Sequence, residues 1–117
     1  MKHHKNFRKF GREKNQRHSF IKGLAINLVR HSRIETTEAR AKEIRPFVEK
    51  LVTLAKVDSV TRRRLVSSRI LNQEIETKKL FTTLAPKYKD VNGGYLRITK
   101  LGQRIGDGSP MAVIEFI

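Results

Sequence analysis

A chain of 117 residues has room for one domain of ordinary size, and its 26 Lys and Arg against 11 Asp and Glu give a formal net charge of +15. The size argues against a two-domain enzyme with an interdomain cleft, and the charge points to a polyanionic partner. Without Cys there are no disulfides, thiolate nucleophiles or thiolate metal sites, and no apolar run approaches the roughly 18–20 residues of a membrane span, so a soluble cytosolic protein with no membrane role is expected.

Residues 1–14 read as an extended basic arm. Lys2, Lys5, Arg8, Lys9, Arg12 and Lys14, with His3 and His4, face only Glu13, and Phe7 and Phe10 are the only large apolar side chains after Met1. Such a segment buries too little surface to order itself, so it is expected to fold on its partner, its phenyl rings pairing stacking with phosphate contacts. Residues 15–117 read as a single globular domain. From Asn15, a plausible N-cap, Ile21, Leu24, Ala25, Leu28 and Val29 recur at helical spacing. Arg17 and Lys22 are left off that stripe.

Arg33 to Thr37 is β-branched and predicts a short strand, after which Thr37 caps a helix opening at Glu38. Ala41, Ile44, Val48, Leu51, Val52 and Ala55 form its buried stripe, and Pro46 within it predicts a kink and not a break, because the stripe continues in phase. A third helix, capped by Asp58 or Ser59, ends near Ile70; a fourth, capped by Asn72, carries Ile75, Leu80, Phe81 and Leu84 up to Pro86. After Gly93 and Gly94 the period turns strand-like over Tyr95 to Leu101, then a Gly-rich hairpin turn leads to Met111 to Ile117. That last run is apolar except for Glu115, which suits the middle of a sheet. The expected fold is α+β in two layers, order α-β-α-α-α-β-β, with helices on one face of a three-stranded sheet whose C-terminal strand is central.

No catalytic set stands out. His3, His4, His18 and His31 lack metal-ligand spacing, and Gly102, Gly106 and Gly108 form neither a dinucleotide fingerprint nor a P-loop. Neither metal, cofactor nor small-molecule substrate is expected. Arg62, Arg63 and Arg64 sweep about 200° of a helix surface, so they cannot all face one line of phosphates. Tyr88, Tyr95 and Phe47 read as core or partly buried side chains and not as stacking platforms. The candidate RNA contacts are therefore the arm residues Lys2, His3, His4, Lys5, Arg8, Lys9, Arg12 and Lys14, followed by Arg17, His18 and Lys22, then Arg62, Arg63, Arg97, Lys100 and Arg104.

The sequence stretches KHHKNFRKFGR (2–12), TTEARAKEIR (36–45), EKLVTLAK (49–56), DSVTRRRL (58–65), KLFTTLAPKY (79–88) and GGYLRITKLGQRIGDGSPMAVIEF (93–116) occur in one order along the chain. In them the whole chain resembles the bacterial large-subunit ribosomal protein L seventeen family. The resemblance implies a non-enzymatic component of the large ribosomal subunit in the cytoplasm that binds 23S rRNA near the polypeptide tunnel exit and touches the small ribosomal protein L thirty-two. Arg8, Lys9, Arg12 and Arg17 match the family, whereas Lys2, His4 and Phe7 depart from its opening and lose the planar guanidinium fork at two positions. Two other classes fit the charge: a DNA-binding architectural protein, and a basic ribonuclease that would need a His-based acid and base pair, with His18 and His31 to be tested.

Overall fold

Apolar spacing decides where the helices lie. The computed structural model describes residues 14–117, so residues 1–13 of the expected arm lie outside the described residues, as does the side chain of Lys14, whose backbone already belongs to the first helix. Helix α1 (Lys14–His31) buries Ala25, Leu28 and Val29, with Ile21 and Leu24 partly covered, which is the expected stripe, and buries Ile26 beside it. Asn15 does not cap it: the backbone is already helical at Lys14, and an exposed polar side chain does not oppose a first-turn position. The helix stops where Ser32 turns left-handed (φ 63°) and donates its N–H to Leu28 O at 2.7 Å, satisfying a terminal carbonyl.

Strand β1 (Arg33–Thr37) and helix α2 (Glu38–Ala55) follow as expected, and Thr37 Oγ1 accepts from the Arg40 N–H at 3.3 Å. All six expected stripe residues of α2 are buried, and the helix runs unbroken through Pro46. It is the central helix, packing on α1, on the sheet and on the helices that follow. Ser59, one of the two expected caps, opens α3 (Val60–Arg69) by accepting from Arg62 N at 3.2 Å.

The next turn departs from expectation. Asn72 is not an N-cap: Leu71 and Asn72 both take left-handed φ (58° and 57°), and Gln73 stands at the cap position without a side-chain bond. Asn tolerates this conformation better than most residues, so a turn and a cap draw on the same residue type. Moving the start of α4 (Glu74–Lys79) rotates its face. Ile75, expected in the core, is 80% exposed, and Glu76 and Thr77 are buried instead. They are tolerated because Glu76 Oε1 meets Arg30 Nε at 2.7 Å and Thr77 Oγ1 donates to Gln73 O at 2.8 Å. A π-helical turn over Leu80–Leu84 joins α4 to α5 (Ala85–Lys87). The wider turn gives room ahead of Pro86, which has no N–H to donate and whose ring would crowd the carbonyl four residues back.

Strands β2 (Leu96–Gln103) and β3 (Pro110–Phe116) form the expected hairpin, and the order β1-β3-β2, antiparallel throughout, places the C-terminal strand in the centre. A bulge at Leu101, between the pairs Lys100–Ala112 and Gly102–Met111, extends β2 past its expected end. Ile34, Leu96, Ile98, Ala112, Ile114 and Phe116 share the face that joins the helical core. On the other face Glu115 sits between Arg33 (3.8 Å) and Arg97 (2.9 Å) of the two flanking strands. Tyr88 and Tyr95 are buried as expected, their ring centres 5.2 Å apart, and the Tyr88 O–H donates to Ile117 O at 2.6 Å.

Candidate nucleic-acid interface

Three residues of the expected contact set meet at one place. Arg17, His18 and Lys22 lie on the first turns of α1, within two turns of each other, and the packing of α1 against α2 brings Lys50 to the same cleft. Ile21, Pro46 and Phe47 also line it, Glu43 is the one acid among its lining residues, and it encloses about 420 Å³. The Arg40 guanidinium lies 4.9 Å over the ring of Phe20, a second tie between the same two helices. Lys22 and Lys50 make no ion pair among the described residues.

Sequence reasoning missed Lys50 and passed over Phe47. A signal existed: Glu43, Pro46, Phe47 and Lys50 fall at i, i+3, i+4 and i+7, one stripe of α2 beside its core stripe. Nothing in the sequence said which helix that stripe would face.

The other candidates are dispersed and engaged within the chain. Arg62 Nη1 donates to Leu54 O at 3.2 Å. Arg63 forms a fork onto Asp58, with bonds of 2.6 and 2.7 Å, and its guanidinium lies 5.0 Å over the Phe81 ring. That fork holds the Asp58 carboxyl below its ordinary range and raises the guanidinium further. Arg97 pairs with Glu115, and Lys100 reaches Glu38 at 3.6 Å. Hydrogen bonding from Lys42, with Lys100 adding to it against some desolvation, keeps Glu38 below the usual carboxylate range.

At the β2–β3 turn Arg104 grips Asp107 with bonds of 3.0 and 2.6 Å, and the Ser109 N–H adds a third at 3.1 Å. These hydrogen bonds, the Arg104 fork foremost, hold Asp107 well below the usual range. Solvent screens exposed pairs of this kind, so they orient guanidinium groups without removing them from a phosphate's reach. The arm residues Lys2, His3, His4, Lys5, Arg8, Lys9 and Arg12 lie outside the described residues, as does the Lys14 side chain.

A second basic depression, about 430 Å³, lies between α3 and α4 and is lined by Arg63, Arg64, Ser67, Asn72, Glu74, Thr77 and Lys78. Arg64 and Lys78 were not among the expected contacts; α3 supplies the one and α4 the other.

The described residues contain no group of three or more His, Asp or Glu able to hold a metal. His18 and His31 stand on the same helix, thirteen positions apart, which at 1.5 Å per residue separates them by roughly 20 Å. They do not form the acid and base pair that an RNA-cleaving site would need. Among the described residues, no helix is long and apolar enough to cross a membrane.

The model of the family "Ribosomal protein L17" matches residues 20–117. The chain is 50% identical over 117 residues to the large ribosomal subunit protein bL17 of Dictyoglomus turgidum, with all of both chains covered. It is 49% identical over 118 residues to the protein of the same name from Persephonella marina (100% of this chain, 95% of that one) and 47% over 117 residues to that from Sphingopyxis alaskensis (100% and 84%). A match spanning the whole architecture described above, from α1 to β3, means that the chain belongs to the ribosomal protein L17 family.

Proposed function

We propose that this protein is a non-catalytic structural component of the large ribosomal subunit, working in the cytoplasm, that binds 23S rRNA and stabilises its fold near the polypeptide tunnel exit, beside the small ribosomal protein L thirty-two. Family membership supports the subunit, and a surface rich in cations supports the RNA. The observation that carries the reading is the convergence of Arg17, His18, Lys22 and Lys50 on one cleft, at the end of α1 where the basic arm joins the fold. In this reading residues 1–14 are an arm that docks on RNA and residues 15–117 act as one globular domain. The arm residues Lys2, His3, His4, Lys5, Arg8, Lys9, Arg12 and Lys14 then neutralise phosphates along a path that continues to Arg17, His18 and Lys22. Arg62, Arg63, Arg97, Lys100 and Arg104 add secondary contacts.

Each phosphate neutralised by a cation releases counterions, so affinity falls with salt along a log–log slope of roughly −0.9 per phosphate on a duplex and −0.7 on a single strand. Deleting residues 1–14 is expected to flatten that slope for 23S rRNA while circular dichroism shows the fold retained. An unchanged slope and affinity would overturn the role of the arm. In sucrose gradients the protein is expected to sediment with large subunits; association with nucleoid DNA would overturn the ribosomal reading.

A further inference from the structure

The cleft between α1 and α2 differs chemically from the depression between α3 and α4. Ile21, Pro46 and Phe47 give it apolar walls, with Lys22, Lys50 and His18 around them. The depression between α3 and α4 has no large apolar side chain in its lining, which suits phosphates alone. A phosphodiester line would occupy the cations of the α1–α2 cleft and leave its apolar walls unfilled. Phe47 packs against the core yet remains half-buried, keeping surface on the cleft.

We propose that this cleft holds an unstacked nucleobase of the bound RNA, with the base against Phe47 and its flanking phosphates on Lys22 and Lys50. The inference rests on the RNA-binding reading and deepens it. Proteins recognise single-stranded RNA by pairing aromatic faces with cations that follow the backbone, and both parts are present here. The cleft volume of about 420 Å³ falls within the roughly 300–1,000 Å³ of small-ligand pockets. Charge favours a nucleotide over an apolar peptide: Arg17, Lys22 and Lys50 outnumber Glu43 in the lining, and a hydrophobic partner would desolvate two ammonium groups, Lys22 and Lys50, that form no ion pair among the described residues.

The test uses the full chain and a 23S rRNA transcript, titrated across a salt series. Phe47→Leu keeps an apolar wall but removes the π face; a double Lys22→Gln, Lys50→Gln variant keeps the wall and removes the charges. Phe47→Leu is expected to weaken binding about 5- to 150-fold with the salt slope unchanged. The lysine variant is expected to flatten the slope by roughly 0.7–0.9 for each phosphate it no longer neutralises.

Equal affinity of Phe47→Leu and the parent chain would overturn the base-binding cleft and leave RNA binding standing, whereas absence of saturable binding by the parent would overturn both. A flattening of the slope in Phe47→Leu equal to that of the lysine variant would also overturn it, since the ring would then act only by placing cations. Should Phe47→Leu prove unfolded by circular dichroism, Phe47→p-benzoylphenylalanine irradiated in assembled large subunits decides: an adduct to a nucleotide supports the cleft, and an adduct to protein or none overturns it.

Discussion

Glu76 is only 3% exposed, and the Arg30 Nε at 2.7 Å is its ion-pair partner. Removing that guanidinium leaves a desolvated carboxylate unpaired, so Arg30→Met is expected to destabilise the chain by about 2–3 kcal/mol, read from urea melts. The cost stays at the low end of buried-pair losses because the Arg30 side chain is half exposed and water can partly replace it. Glu76→Gln retains an acceptor and is expected to cost nearer 1 kcal/mol. Leu71 holds a left-handed φ of 58° with its side chain partly in solvent. Leu71→Gly is therefore expected to stabilise the fold by about 0.5–1 kcal/mol, the relief of strain exceeding the entropy added to the unfolded chain. At the hairpin tip, the depressed Asp107 carboxyl stabilises the fold fully above the ordinary value of 3.8 and loses that contribution as pH falls through the depressed one. NMR titration should show Asp107 still ionised at pH values where an ordinary Asp is half protonated, and Arg104→Gln should return it towards 3.8.

The helices begin where a side-chain oxygen meets an orphan N–H at two clear places, Thr37 and Ser59. Thr37→Ala is expected to cost about 1 kcal/mol in thermal or urea melts, as N-cap losses do. The Thr37 cap was readable because a hydroxyl residue directly precedes a continuous apolar period, whereas α3, with Val66 as its one buried residue, left Asp58 and Ser59 as alternatives. The buried stripe of α2 was readable in full for the same reason: a helix covered along one side repeats its apolar side chains at every turn. The α3–α4 corner was not. Asn72 serves equally well as cap or left-handed turn residue, and the cap reading places Ile75 in the core, where the structure instead buries Glu76. The burial of Glu76 depends on Arg30, 46 residues earlier, and such a long-range pairing leaves no local period. The π turn was equally hidden, since Pro86 alone announces a stop and the chain instead widens its helix ahead of it.

Across the whole molecule the surplus of +15 is self-repelling, and the described pairs neutralise it only locally. The isolated protein is expected to melt at higher temperature as NaCl rises from low ionic strength, and scanning calorimetry that finds no gain would contradict this. The candidate site was legible as a charge bias and on α1 as a run of residues. It was not legible as a cleft, because Lys50 and Phe47 arrive from α2 only through tertiary packing. The sheet order was legible from one strand, the almost wholly apolar 111–117 run, which only the middle position could cover. That order has a bearing on biosynthesis. Strands β1 and β2 bond to β3 and never to one another, and Arg33 must wait for Glu115 to find its register. During translation the helices can therefore collapse while both outer strands remain without a neighbour, and the layer beneath them closes only after residues 110–116 have left the synthesising ribosome.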